Sequence, residues 1–161
     1  MNFEDFILSV DPQYQKFVLS MHDFMISNEC LLKMAEAKSG YVISYQYGKK
    51  KRVLLNFVFR KTGLHARIYG DHVGQYLDFL ESLSETMKKT IEKAPPCKRF
   101  DDPPKCNSKC IGYVFAIGDV QHRKCRYNCF LFPVTDDSIP YIKTMIENEL
   151  RIRNAETATK D

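Results

Sequence analysis

The chain has 161 residues, 44% of them hydrophobic, with 11 Phe, 9 Tyr and a net charge of +4. That length suits one compact domain with its own core, and the apolar content excludes wholesale disorder. No apolar run approaches the roughly 20 residues of a membrane helix, and MNFEDFILSV has no basic segment ahead of its apolar patch. It therefore does not read as a signal peptide, and the cytoplasm is the expected location.

A short helical turn is expected from Phe3 to Leu8. Asp11-Pro12 then marks a helix start, an N-cap carboxylate followed by proline at the first helical position. Tyr14, Phe17, Val18, Met21, Phe24 and Met25 recur at helical spacing, so this helix buries one face. Cys30 to Ala37 fits either period. From Tyr41 the period is two: YVISYQY, RVLLNFVFR and LHARIYG read as three strands, parted by GKKK and KTG turns. Asp71 opens a second helical region with Val73, Tyr76, Leu77 and Leu80 on one face, which Ser84 restarts and Ala94-Pro95-Pro96 stops. GYVFAI and CRYNCFLF, joined through Gly118-Asp119, predict a second hairpin. Asp136 or Asp137 caps a last helix bearing Ile142, Met145, Ile146 and Leu150.

The order α-βββ-α-ββ-α predicts an α+β fold, an antiparallel sheet of about five strands with helices packed on one face. Residues 1–153 form a single domain with a cysteine-rich loop at 95–111, and residues 154–161 a disordered tail. The aromatics of the three strands (Tyr41, Tyr45, Tyr47, Phe57, Phe59 and Tyr69) pack against the helices, unless an uncovered face turns them into a small-molecule cleft.

The six cysteines carry the clearest chemistry. Five follow C-x8-C-x3-C-x14-C-x3-C, and four thiolates around Zn²⁺ make a closed structural site. Were Cys125 and Cys129 both on one extended strand, they would lie about 13 Å apart, too far to share an ion. If Gly118-Asp119 is the tight turn, Gly112 falls opposite Cys125, two residues from Cys110. The expected ligands are thus Cys97, Cys106, Cys110 and Cys125, with Cys129 the alternate and Cys30 simply core. Between Cys97 and Cys129, 7 basic residues stand against 3 acidic ones; nearby cations stabilise a four-thiolate zinc centre, whose net charge is −2. An iron–sulfur cluster is the alternative cofactor.

None of the four histidines stands in an H-x3-H pair or beside a nucleophile, and no phosphate-binding glycine loop or HExxH motif is present. The expectation leans away from an enzyme and toward binding of a small molecule or a protein. Lys49-Lys50-Lys51-Arg52 reads as a solvated turn, and a net charge of +4 is modest for a nucleic-acid partner.

SGYVISYQYGKKKRVLLNFVFRKTGLHARIYG, with the later FLFPVTDDSIPYIKTMIENELRIR, resembles the small bacterial YdhG-like domains. They are described as frataxin-like, and some members are proposed iron chaperones. The resemblance covers about 100 residues and implies the α+β fold and an iron-handling role. The cysteine-bearing insertion lies outside that family's pattern, and the first long helix carries only Asp11 and Asp23 where iron donation needs dense carboxylates. The cysteine spacing itself is similar to that of proteins from anaerobic Firmicutes, which bring no function with them.

Overall fold

The structure is a computed structural model describing residues 2–101, 106–107 and 109–159. Asn2 and Asp5 cap each other to start α1 (Phe3–Ser9). Asp11 accepts from the Gln13 N–H and Pro12 opens α2 (Pro12–Ser27), burying Val18, Met21 and Met25. Four strands follow as a meander: β1 (Leu31–Ala37), β2 (Gly40–Tyr47), β3 (Arg52–Arg60) and β4 (Gly63–Ile68). A 3-10 turn (Val73–Gln75), α3 (Leu77–Glu81), α4 (Glu85–Lys93) and α5 (Lys98–Asp101) lead to the hairpin β5 (Tyr113–Ile117) and β6 (Val120–Lys124). The chain closes with β7 (Leu131–Pro133) and α6 (Ile139–Thr159).

The main sheet is antiparallel in the order β1-β2-β3-β4-β7. Directly paired residues share a face, so the register defines two rows across it. One is apolar: Met34, Ile43, Phe57, Ala66 and Phe132 stand opposite one another in turn. The rings of Phe6 and Phe17 meet Phe57 from α1 and α2, each at 6.3 Å between centroids. Ile142, Met145, Ile146 and Leu150 of α6 join the same core. Each large side chain buried there contributes about 1.5–3 kcal/mol. The opposite row is polar (Lys33, Ser44, Asn56, Arg67) and ends at Leu131. Helices therefore cover one face, as the sequence predicts.

A bulge breaks the alternation. Tyr45 pairs with Leu55 but Gln46 pairs with Val53, leaving Leu54 as the extra residue. Leu54 and Leu55 are consequently both fully buried. Beyond the bulge Arg52, opposite Tyr47, returns to the helix-covered face. Tyr47 there donates its hydroxyl to Asn154 of α6.

Several expectations are corrected. The ambiguous segment is β1: LLKMAEA is rich in helix formers, but as an edge strand it needs only half-buried Leu32 and Met34 on its inner face. The second hairpin forms its own two-stranded sheet, and the fifth strand of the main sheet is β7. CRYNCFLF is not one strand. After β6 the chain makes a helical turn, Cys129 N–H donating to the Cys125 carbonyl at 2.9 Å, before β7 begins. Thr135 and Ser138 bond each other reciprocally ahead of α6, while Asp137 accepts from Ser84 Oγ instead of capping. Finally, α6 runs through Thr159, so the tail expected from residue 154 is helical that far. Of the cysteine-rich loop, residues 102–105 and 108 lie outside the described residues, as do 160 and 161. Among the described residues no helix is long and apolar enough to cross a membrane.

Candidate functional site

Two features gather chemistry, one at the cysteines and one at the end of the main sheet. The first is built by strand pairing. Ile117 pairs with Val120 and Tyr113 with Lys124, the register that places Gly112 opposite Cys125. Pro95 to Cys97 runs along the other edge of β6: Cys125 N–H donates to the Pro95 carbonyl at 3.0 Å, and Cys97 N–H to the Arg123 carbonyl at 3.2 Å. Lys124 Nζ closes the end of α4 by donating to the Glu92 and Ala94 carbonyls. Cys97 Sγ lies hard against Gly112, where any Cβ would collide with it, and Arg99 donates to the Cys110 carbonyl. The segments around Cys97, Gly112 and Cys125 thus lie side by side.

The thiols differ in their surroundings. Cys97 is buried, and Cys106, Cys110 and Cys125 are partly exposed. Burial pushes the Cys110 thiol up, and Cys106, Cys125 and Cys97 push it further while Arg126 opposes them. Cys110 therefore stands in the field of the other three predicted ligands. Cys129 is fully buried in the core, and burial raises its thiol far above the ordinary range. Since the chain turns at Cys125, burial and not strand length separates Cys129 from the group. Among the described residues no three of His, Cys, Asp or Glu are arranged to hold a metal ion.

The second feature centres on Asp71. Its Oδ1 accepts from Arg126 Nε at 3.0 Å and Nη2 at 2.8 Å. Its Oδ2 accepts from Arg52 Nε at 3.2 Å and Nη2 at 2.9 Å, and from Arg153 Nη2 at 3.4 Å. Behind it Glu149, fully buried, accepts from Tyr76 Oη at 2.6 Å, Arg153 Nε at 3.1 Å and the His72 N–H at 2.8 Å. Burial, then the charge and hydrogen bond of Glu149, hold the Tyr76 hydroxyl protonated. Burial works against the Arg126 charge, but Tyr113 and Asp71 more than offset it. His72 presents Nδ1 to Glu149 at 3.1 Å and Nε2 to Glu156 at 2.9 Å. Both ring nitrogens of His72 are thus engaged by carboxylates.

This network floors a cleft of about 420 Å³ between the β2–β3 turn and the end of α6. From the sequence alone Asp71 reads as a helix start and Lys49 to Arg52 as a solvated turn. In the structure Asp71 is an ion-pair hub, Arg52 folds back onto it, and Lys49 and Lys50 line the cleft wall. Of the strand aromatics, Tyr45 and Phe57 pack against α1 and α2, whereas Tyr47 lines this cleft. One signal for the network was present. Glu149 and Arg153 continue the 142, 145, 146 stripe of α6, and charges on a buried stripe need partners. No known protein family, curated protein or solved structure matches the chain.

Proposed function

We propose that the protein is a non-catalytic binding module whose β5–β6 hairpin is clamped by a structural Zn²⁺ on Cys97, Cys106, Cys110 and Cys125. The observation that carries this reading is the meeting of the Cys97 segment with both strands of the hairpin, Cys97 Sγ against Gly112, two residues from Cys110, and Cys125 N–H on the Pro95 carbonyl. Zinc binding draws the Cys106–Cys110 loop onto Cys97 and Cys125, joining a loop to two strand ends. Four thiolates leave no open position for water, so the ion does no hydrolysis.

Elemental analysis with thiol titration tests it. About one zinc per chain is expected, with Cys30 and Cys129 the thiols left unligated. Cys110→Ser is expected to release the metal and lower stability by several kcal/mol, because binding energy at such a site is folding energy. Freely reactive Cys97, Cys106, Cys110 and Cys125 in folded protein purified without chelator would reject the reading. Brown protein absorbing near 400 nm would replace zinc by an iron–sulfur cluster and favour the iron-handling role implied by the YdhG-like resemblance.

A further inference from the structure

We infer that the cleft between the β2–β3 turn and the end of α6 binds a small organic anion carrying two or more negative charges. The inference is independent of the metal reading. A cleft of about 420 Å³ falls within the range that encloses small ligands. In and around it five cationic side chains (Lys49, Lys50, Arg52, Arg126 and Arg153) stand against three carboxylates, Asp71, Glu149 and Glu156. The carboxylates are already engaged by Arg and His groups, and the excess is positive.

The cations are also arranged for a ligand. Asp71 and Glu149 fix the Arg52 and Arg153 guanidinium groups, so little side-chain freedom remains to be lost when an anion arrives. Arg52 uses Nε and Nη2 on Asp71 and keeps half its side chain exposed. Arg153 also lines the cleft but is only 6% exposed, its Nη1 buried without a hydrogen-bond partner among the described residues. Two ammonium groups, Lys49 and Lys50, stand on the wall above without an ion pair among the described residues. Guanidinium forks and ammonium charges together suit phosphoryl or carboxylate oxygens. Tyr47 and Thr157 give the cleft an uncharged side for an organic body. The Leu54 bulge is what brings Arg52 to this side of the sheet.

The test titrates the full-length protein at low ionic strength with pyrophosphate, AMP and citrate, followed by calorimetry. Saturable one-to-one binding of at least one probe is expected; preference for pyrophosphate or AMP assigns phosphoryl chemistry, and preference for citrate assigns carboxylate. Lys49→Gln/Lys50→Gln alters only exposed side chains. It is expected to weaken binding by about tenfold or more without moving the melting temperature of the free protein. Glu156→Gln removes a negative charge and is expected to tighten binding. Absence of saturable binding by all three probes, or affinity indifferent to the double substitution, overturns the inference. Because pyrophosphate and citrate also chelate Zn²⁺, zinc is assayed before and after each titration. Binding that leaves the zinc content unchanged and responds to Lys49→Gln/Lys50→Gln belongs to the cleft, so the two readings fail separately.

Discussion

The thiol cluster and the charged cleft are built in opposite ways. The thiols come from a loop and two segments beside β6, Cys97 and Cys125 placed by backbone pairing, and their side chains do not complete a ligand set among the described residues. The cleft comes from the β2–β3 turn, the start of β3, the segment after β4 and the end of α6, and the charged side chains at its floor interlock through Asp71 and Glu149. A repeated residue type announces the first in the sequence. The second is scattered from Arg52 to Glu156 and becomes visible only when the chain folds. Spacing reveals sites made from local sequence, and burial reveals sites made from distant sequence. The two regions also touch, since Cys125 and Arg126 are neighbours, one within the thiol group and the other bidentate on Asp71.

Four measurements sharpen that contrast. The largest effect is expected at Glu149→Ala, which leaves Arg153 and Tyr76 buried without their partner. Urea denaturation should show a loss of about 3–5 kcal/mol, and a loss below 1 kcal/mol would mean the network is loosely held. Gly112→Ala forces a Cβ against Cys97 Sγ and the Phe100 ring. A cost of about 1–3 kcal/mol is expected, and an unchanged midpoint would show the two cysteine segments are not packed together. Arg126→Gln removes a partly buried bidentate pair while Arg52 and Arg153 still hold Asp71, with an expected loss of about 1–2 kcal/mol. A double-mutant cycle with Cys110→Ser then measures whether the regions are coupled, and strict additivity would separate them.

The smallest effect concerns Cys30 and Cys129. Burial pushes the Cys30 thiol up to about 11, with Arg153 acting against it, and raises Cys129 further. Neither should react with a thiol reagent near pH 8 until the protein unfolds. The neutral-thiol contribution of Cys30 to stability is intact below its ordinary 9.0 and lost as pH rises to about 11, because the unfolded chain gives up the proton first. Stability that stays flat across that window would show Cys30 is not enclosed.

Much of the fold was legible because local signals agreed with the final packing. Asp11-Pro12 caps α2 as read, the meander follows its period-two runs, and the Gly118-Asp119 turn gives the expected register. The misreadings have physical causes. An edge strand such as β1 needs one apolar face only, so helix-forming residues disguise it. Cys125 to Phe130 carries the aromatics of a strand, yet its i to i+4 hydrogen bond folds it into a turn. Asp71 resembles any helix-capping aspartate until Arg126 and Arg153 arrive from 55 and 82 residues away.

The terminal helix does two jobs along its length. Its first turns wedge Ile142, Met145 and Ile146 into the hydrophobic interior, and its later turns set Glu149 and Arg153 in the ion-pair network and carry Glu156 to the cleft. A rigid rod with one end anchored in grease and the other in charge behaves as a lever. Any change that tilts its anchored half, however remote, would misalign the ionic end by a larger displacement.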